Sequence, residues 1–85
     1  MKIKFRKHAK VKFGFLRQNG YKITENEVRK ALLNPDRIVS TRLSFRFIAE
    51  KDTDATHKLR IVYEEHLKYI EIVTFYPAKR SKYEI

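Results

Sequence analysis

The sequence predicts an α+β domain in which two N-terminal helices pack on one face of an antiparallel β-sheet of about four strands. Three observations predict it. Thr24 and Glu27 form a T-x-x-E capping box in front of a helical apolar stripe. From His57 to Glu64, Leu59, Ile61 and Tyr63 alternate with Lys58, Arg60, Val62 and Glu64, the period of a strand with one buried face. From Tyr69 to Tyr76 only Glu71 and Thr74 interrupt the apolar residues, as in a strand covered on both faces and central in its sheet. Helical signals precede the strand signals, which is the order of an α+β domain.

Taken in order, Met1–Arg6 alternates Ile3 and Phe5 with Lys2, Lys4 and Arg6, a candidate edge strand whose lysines block pairing with another sheet. Lys7–Gln18 fits two periods. Val11, Phe13 and Phe15 follow a strand, whereas Ala9, Phe13 and Leu16 follow a helix stripe. Its length and its lysines favour the helix, with Gly14 costing about 1 kcal/mol against alanine. Asn19-Gly20 marks a stop. The second helix starts at the Thr24 cap, with Ile23 and Val28 as a hydrophobic staple and Glu25 and Glu27 at the positive helix end. Val28, Ala31 and Leu32 form its buried stripe, and Asn34-Pro35 ends it. Arg37–Thr41 is a short strand, and Leu43, Phe45 and Phe47 alternate with Ser44, Arg46 and Ile48 in a longer one. The polar Lys51–Thr56 stretch is expected to be a mobile hairpin loop. Glu65-His66 turns the last two strands, and Pro77, having no N–H, is expected to end the ladder.

At 85 residues the chain is expected to be one domain, with 42% hydrophobic residues to build its core. It has no cysteine, which excludes disulfides and thiolate metal sites. No apolar run is long enough for a membrane span and no signal-peptide core is present, so the expected compartment is the cytoplasm. The formal charge is +10. Residues 1–22 carry eight Lys or Arg and no acid, residues 23–78 are balanced, and the last seven add Lys79, Arg80 and Lys82 against Glu84. Cations concentrated at both chain ends favour a polyanionic partner, RNA, DNA or an acidic protein segment. The last strand delivers Lys79, Arg80, Lys82 and Tyr83 to the end of the sheet, where a site is expected. With Tyr76, Lys10 and Lys12 these form the candidate nucleic-acid contacts, and tyrosines suit the stacking of single-stranded bases. His8, His57 and His66 are not accompanied in sequence by a ligand set for a metal, and no metal or cofactor is expected.

His8-Ala9, the phrase ITENEVRKALLNPDRI, KLRIVYEE and IVTFYPAKRSKY together resemble a small domain family. That family is similar to BrnT-like proteins and belongs with the RelE/ParE superfamily of toxins. The resemblance covers roughly residues 8–83 and is moderately specific only in combination. It departs in Lys12, where relatives often carry arginine, and in a longer Asn19–Lys22 connection. It implies two helices on a small antiparallel sheet, and a toxin neutralised by a cognate antitoxin from a neighbouring gene. RelE-like members are metal-independent endoribonucleases that cut mRNA in the ribosome, and ParE-like members poison gyrase. The positions corresponding to RelE-like functional residues are Lys58, Arg60, Arg80 and Tyr83.

Metal-independent cleavage needs a deprotonated 2′-hydroxyl, a stabilised pentacovalent phosphate and a protonated 5′-oxygen. Arg60 and Arg80 suit the phosphate because a guanidinium engages two of its oxygens. Lys58, His57 or Tyr83 would serve as acid or base, and His8 is a further candidate. The alternative is a toxin-fold protein that does not cut and binds nucleic acid, gyrase or an acidic partner. Lys58 and Arg60 equally suit a solvated strand face, paired with Glu64 or Glu71. Antiparallel pairing of the last two strands would place Arg80 near Arg60, with an anion between them.

Overall fold

A computed structural model describes residues 2–80. Its elements are β1 (Lys2–Phe5), α1 (Lys7–Gln18), α2 (Glu25–Leu33), β2 (Arg37–Ser40), β3 (Arg46–Asp52), β4 (His57–Glu65) and β5 (Tyr69–Lys79). The strands form one sheet in the order β1-β5-β4-β3-β2. The α+β class and both N-terminal helices agree with the sequence. The sheet differs from the expectation in having five strands and in being mixed. β2 to β5 form an antiparallel meander, and β1 joins β5 in parallel. Alternation marked β1 as a strand, but alternation carries no information about direction.

Both helices lie on one face of the sheet. Ala9 and Leu16 of α1 and Val28, Ala31 and Leu32 of α2 share a core with Ala49, Leu59, Ile61, Tyr63, Ile72 and Phe75. Phe13 of α1 packs its ring 4.6 Å from that of Phe75 and 5.8 Å from that of Phe5. At the end of α1, Tyr21 N–H donates to the Leu16 carbonyl and Gly20 N–H to the Arg17 carbonyl. Gly20 has a φ of 89°, a conformation that glycine takes without a Cβ penalty. Thr24 caps α2 as expected: its Oγ1 accepts from Glu27 N–H at 3.1 Å and donates to the Glu27 carboxylate.

Four boundaries and placements differ. The third strand begins at Arg46 rather than Leu43. The Thr41 hydroxyl accepts from Leu43 N–H and donates to the Arg46 carbonyl, which holds this stretch as a turn and leaves Leu43 and Phe45 exposed. The hairpin loop is shorter than Lys51–Thr56, because Lys51 and Asp52 are still in β3. The ladder does not stop at Pro77, since Leu59, Lys58 and His57 pair with Pro77, Ala78 and Lys79. β1 has already ended opposite Ile72, so β5 has an edge on that side, where the sheet tolerates proline.

β5 is also not the middle strand. It lies inside the sheet, but β4 is central. The long apolar run arises from a β-bulge: Tyr63 pairs with Ile72 and Val62 with Thr74, leaving Val73 as the extra residue. The bulge resets the alternation, so Ile72 and Phe75, three apart, both enter the helix-side core.

Candidate nucleic-acid interface

The face of the sheet opposite the helices is covered by charged side chains. Alternation sets Lys58, Arg60 and Glu64 of β4 on it, since Leu59, Ile61 and Tyr63 face the helices. Their β3 partners are Asp52, Glu50 and Arg46, and Arg60 and Glu64 meet Tyr76 and Glu71 of β5. Among the described residues no helix covers this face, yet Lys58, Glu50 and Glu64 are all buried.

One ion-pair cluster lies toward the β4 N-terminus. Arg37 Nε donates to Glu50 Oε1 at 3.0 Å and Arg37 Nη2 to Asp52 Oδ1 at 2.6 Å. Lys58 Nζ lies 3.2 Å and Arg60 Nε 2.8 Å from Glu50 Oε2, the latter without hydrogen-bond alignment. Arg60 Nη1 donates to the Tyr76 hydroxyl at 3.0 Å. Arg80 Nη2 lies 3.5 Å from Asp52 Oδ2, and Arg80 Nη1 donates to the Asp54 carbonyl. Burial favours the neutral form of Glu50, but bonds from Arg37 and Lys58 and the field of Arg60 outweigh it and hold the carboxyl below its ordinary pKa. The Arg37 bond likewise lowers Asp52.

The second cluster lies at the other end. Glu64 accepts from Arg46 Nε at 2.9 Å, from Arg46 Nη2, and from Arg6 Nη2 at 3.1 Å. Arg6 Nη2 also donates to Glu71 at 2.7 Å. The Arg46 bonds hold the Glu64 carboxyl below its ordinary value. His66 Nε2 is buried here without a hydrogen-bond partner among the described residues, 3.5 Å from Glu64 and 3.8 Å from Glu71. His66 therefore does have carboxylate neighbours at ligand spacing, which the sequence reading missed. Arg6 already bridges the two carboxylates, so a guanidinium is the cation at this position.

At the end of the β4–β5 pair, His57 is held by the loop before it. Asp54 Oδ1 accepts from the backbone N–H groups of Thr56 and His57 and from the Thr56 hydroxyl, and lies 3.2 Å from His57 Nδ1. Bonds from Thr56 and His57 lower the Asp54 carboxyl to about 2, so it is ionised at neutral pH. His57 Nδ1 also lies 2.8 Å from the Thr56 hydroxyl, so both neighbours hold the same edge of the ring. His57 lines a cleft of about 310 Å³ with Tyr21, Lys22, Glu27, Thr53, Asp54 and Pro77. Lys79 stands opposite His57 in the ladder and is exposed, and Arg80 N–H donates to the Thr56 carbonyl.

The sequence-predicted residues thus fall into separate groups. His57 and Lys79 stand opposite each other at the end of the sheet, while the Arg80 guanidinium reaches Asp52 and so joins the open-face ion pairs. Lys58, Arg60 and Tyr76 come together on the open face, joined by Lys12, whose Nζ donates to Thr74 Oγ1 at 2.9 Å and lies 5.3 Å from the Tyr76 ring centroid. Lys58 and Arg60 pair with Glu50 rather than with Glu64 or Glu71. Arg60 and Arg80 reach different carboxylates, Glu50 and Asp52, each of which Arg37 also bonds. His8 and Lys10 sit apart, exposed on α1. Lys82 and Tyr83 lie outside the described residues.

Glu50, Asp52, Asp54 and Tyr21 were missed as parts of the site. The first two are countable from the hairpin, since Asp52 pairs with Lys58 and Glu50 with Arg60 once the loop is bounded at 53–56. Among the described residues no helix is long and apolar enough to cross a membrane. No protein-family model, curated protein or solved structure gives a significant match to this chain.

Proposed function

We propose that this chain binds single-stranded RNA at the end of the sheet where β4 begins and β5 finishes. The observation that carries the reading is the gathering at this end of Lys22, which lines the cleft with His57 and Tyr21, of Lys79 opposite His57 in the ladder, and of Arg80, tied to the Asp54 carbonyl. Cations on rigid strand ends suit phosphates, and Tyr21, 45% exposed at the cleft, offers a ring for a splayed base. The resemblance to RelE/ParE toxins adds ribosome-bound mRNA as the target and a cognate antitoxin as the partner.

A second reading, metal-independent endoribonuclease, is favoured by the Asp54–His57 pair. His57 Nε2 would take the 2′-hydroxyl proton as the 2′-oxygen attacks phosphorus. The bond from phosphorus to the 5′-oxygen then breaks, and that oxygen takes a proton as it leaves. Arg80 and Lys79 would neutralise the charge on the pentacovalent phosphate. Of the candidates Lys58, His57 and Tyr83, this reading gives the base role to His57, since Lys58 is held by Glu50.

Fluorescence anisotropy with a labelled unstructured RNA tests the first reading. Arg80→Ala and Lys79→Ala should each weaken binding and reduce the slope of log affinity against log salt by about one. Lys51→Ala, whose ammonium lies beside Asp36 in β3, should change neither. No binding at about 50 mM salt refutes RNA as the ligand. For the second reading, His57→Ala should stop cleavage of end-labelled mRNA and leave binding intact. An mRNA that the parent protein binds and never cuts ends it.

A further inference from the structure

We propose that the outward face of α1 is a docking surface for an acidic, amphipathic helical segment of a partner protein. Two observations carry it, independently of the RNA reading. The first is an apolar stripe on the wrong side of the helix. Ala9, Phe13 and Leu16 face the core, yet Val11 is 66% and Phe15 59% exposed. With His8 they follow i, i+3, i+7 spacing and line a shallow groove with Lys12. Single exposed apolar residues need no explanation, but a helix-spaced row is the mark of an anchor site.

The second observation is Gly14. Helical spacing puts it on the same outward side, within an otherwise regular helix. Its backbone is not in the left-handed region, and a Cβ placed on it would meet nothing within 4 Å. Nothing in the fold requires glycine here, although glycine is a poor helix former. A bare backbone beside Val11 and Phe15 lets a partner's backbone approach closely.

Charge selects the occupant. Lys7 and Lys10 are exposed on α1, Lys12 lines the groove, and residues 1–22 contain no acid. A second copy would set these cations against each other, so the partner is acidic. An aliphatic valine and a glycine notch suit a helix ridge better than a stacked nucleobase.

The test is titration of the isotope-labelled protein with a synthetic glutamate-rich peptide carrying leucines at i, i+3, i+4 and i+7. A scrambled peptide of the same composition is the control. Amide shifts should concentrate on residues 7–18, and the amphipathic peptide should bind about tenfold more tightly than the scrambled one. Val11→Ser with Phe15→Ser should remove that difference without lowering the melting temperature. Gly14→Ala should raise the melting temperature and weaken the peptide. Equal binding of the two peptides, shifts confined to the β4–β5 end, or Gly14→Ala binding unchanged would overturn the proposal. A single-stranded RNA that shifts residues 7–18 in preference to the peptide would also overturn it.

Discussion

Glu50 is buried on a face that no helix covers among the described residues. Its side chain is 7% exposed, and it holds Arg37, Lys58 and Arg60 at 2.8–3.2 Å. Neutralising it removes the carboxylate that these three cations share, although Arg37 keeps its bond to Asp52. Breaking a buried ion pair from one side typically costs about 3–5 kcal/mol. Arg37 and Arg60 reach water, so the loss for Glu50→Gln should lie at the low end, at about 3 kcal/mol. The exposed Arg29–Glu25 pair on α2 gives the contrast, since a helix-surface pair contributes about 0.3–0.5 kcal/mol. Urea unfolding of Glu50→Gln and Glu25→Gln measures both. Similar losses would mean that burial of Glu50 does not set its worth. The same logic places Arg80 between structure and function: it ties the end of β5 to β3 through Asp52 and to the 53–56 loop through the Asp54 carbonyl, and its substitution should cost little stability.

Among the elements, α2 depends most clearly on one polar atom. Thr24 Oγ1 satisfies the Glu27 N–H at the open end of a helix of nine residues, too short to persist without packing and a cap. Thr24→Ala should cost about 1 kcal/mol, and Thr24→Asp should restore most of it, as denaturant midpoints will show. This helix was legible because its signals are local: a cap, a staple, an apolar stripe and the Asn34-Pro35 stop. α1 was legible despite Gly14 because Ala9, Phe13 and Leu16 keep the helical period. The sheet was legible only where a single strand carries the signal, as in β4. The parallel seating of β1 depends on where the chain returns, and alternation in Ile3 and Phe5 is silent on that. The Val73 bulge looks, in sequence, like a strand covered on both faces. The Thr41 hydroxyl converts a plausible strand into a turn through bonds that propensity does not register. At the site the cations were legible from charge alone. Their carboxylates required the register, and an overlong loop expectation hid the pairing of Asp52 with Lys58 and Glu50 with Arg60.

For the whole molecule, a formal charge of +10 sets ion pairing against self-repulsion. The two clusters on the open face hold strands β2 to β5, and the β1–α1 junction through Arg6, against that repulsion. Acid should therefore loosen this fold through a small set of carboxylates. Glu50 and Glu64 both titrate below their ordinary value when folded: Glu50 because its cations outweigh burial, Glu64 because of its bonds to Arg46. A depressed folded pKa means that the stabilisation is complete above the unfolded value, near pH 4.3 for glutamate, and is lost as pH falls through the folded one. The urea midpoint should stay level on their account between about pH 7 and 5, then drop below about pH 4. Protonation also raises the net positive charge, so repulsion acts in the same direction. Moderate salt separates the two, because it screens exposed repulsion more than pairs shielded by their neighbours. Glu50→Gln removes one of the titrating groups and should show a shallower acid limb than the parent protein. A parent midpoint unchanged between pH 5 and 3 would show that the clusters add nothing to stability. A drop that salt abolishes entirely would assign the acid limb to net charge instead of to Glu50 and Glu64.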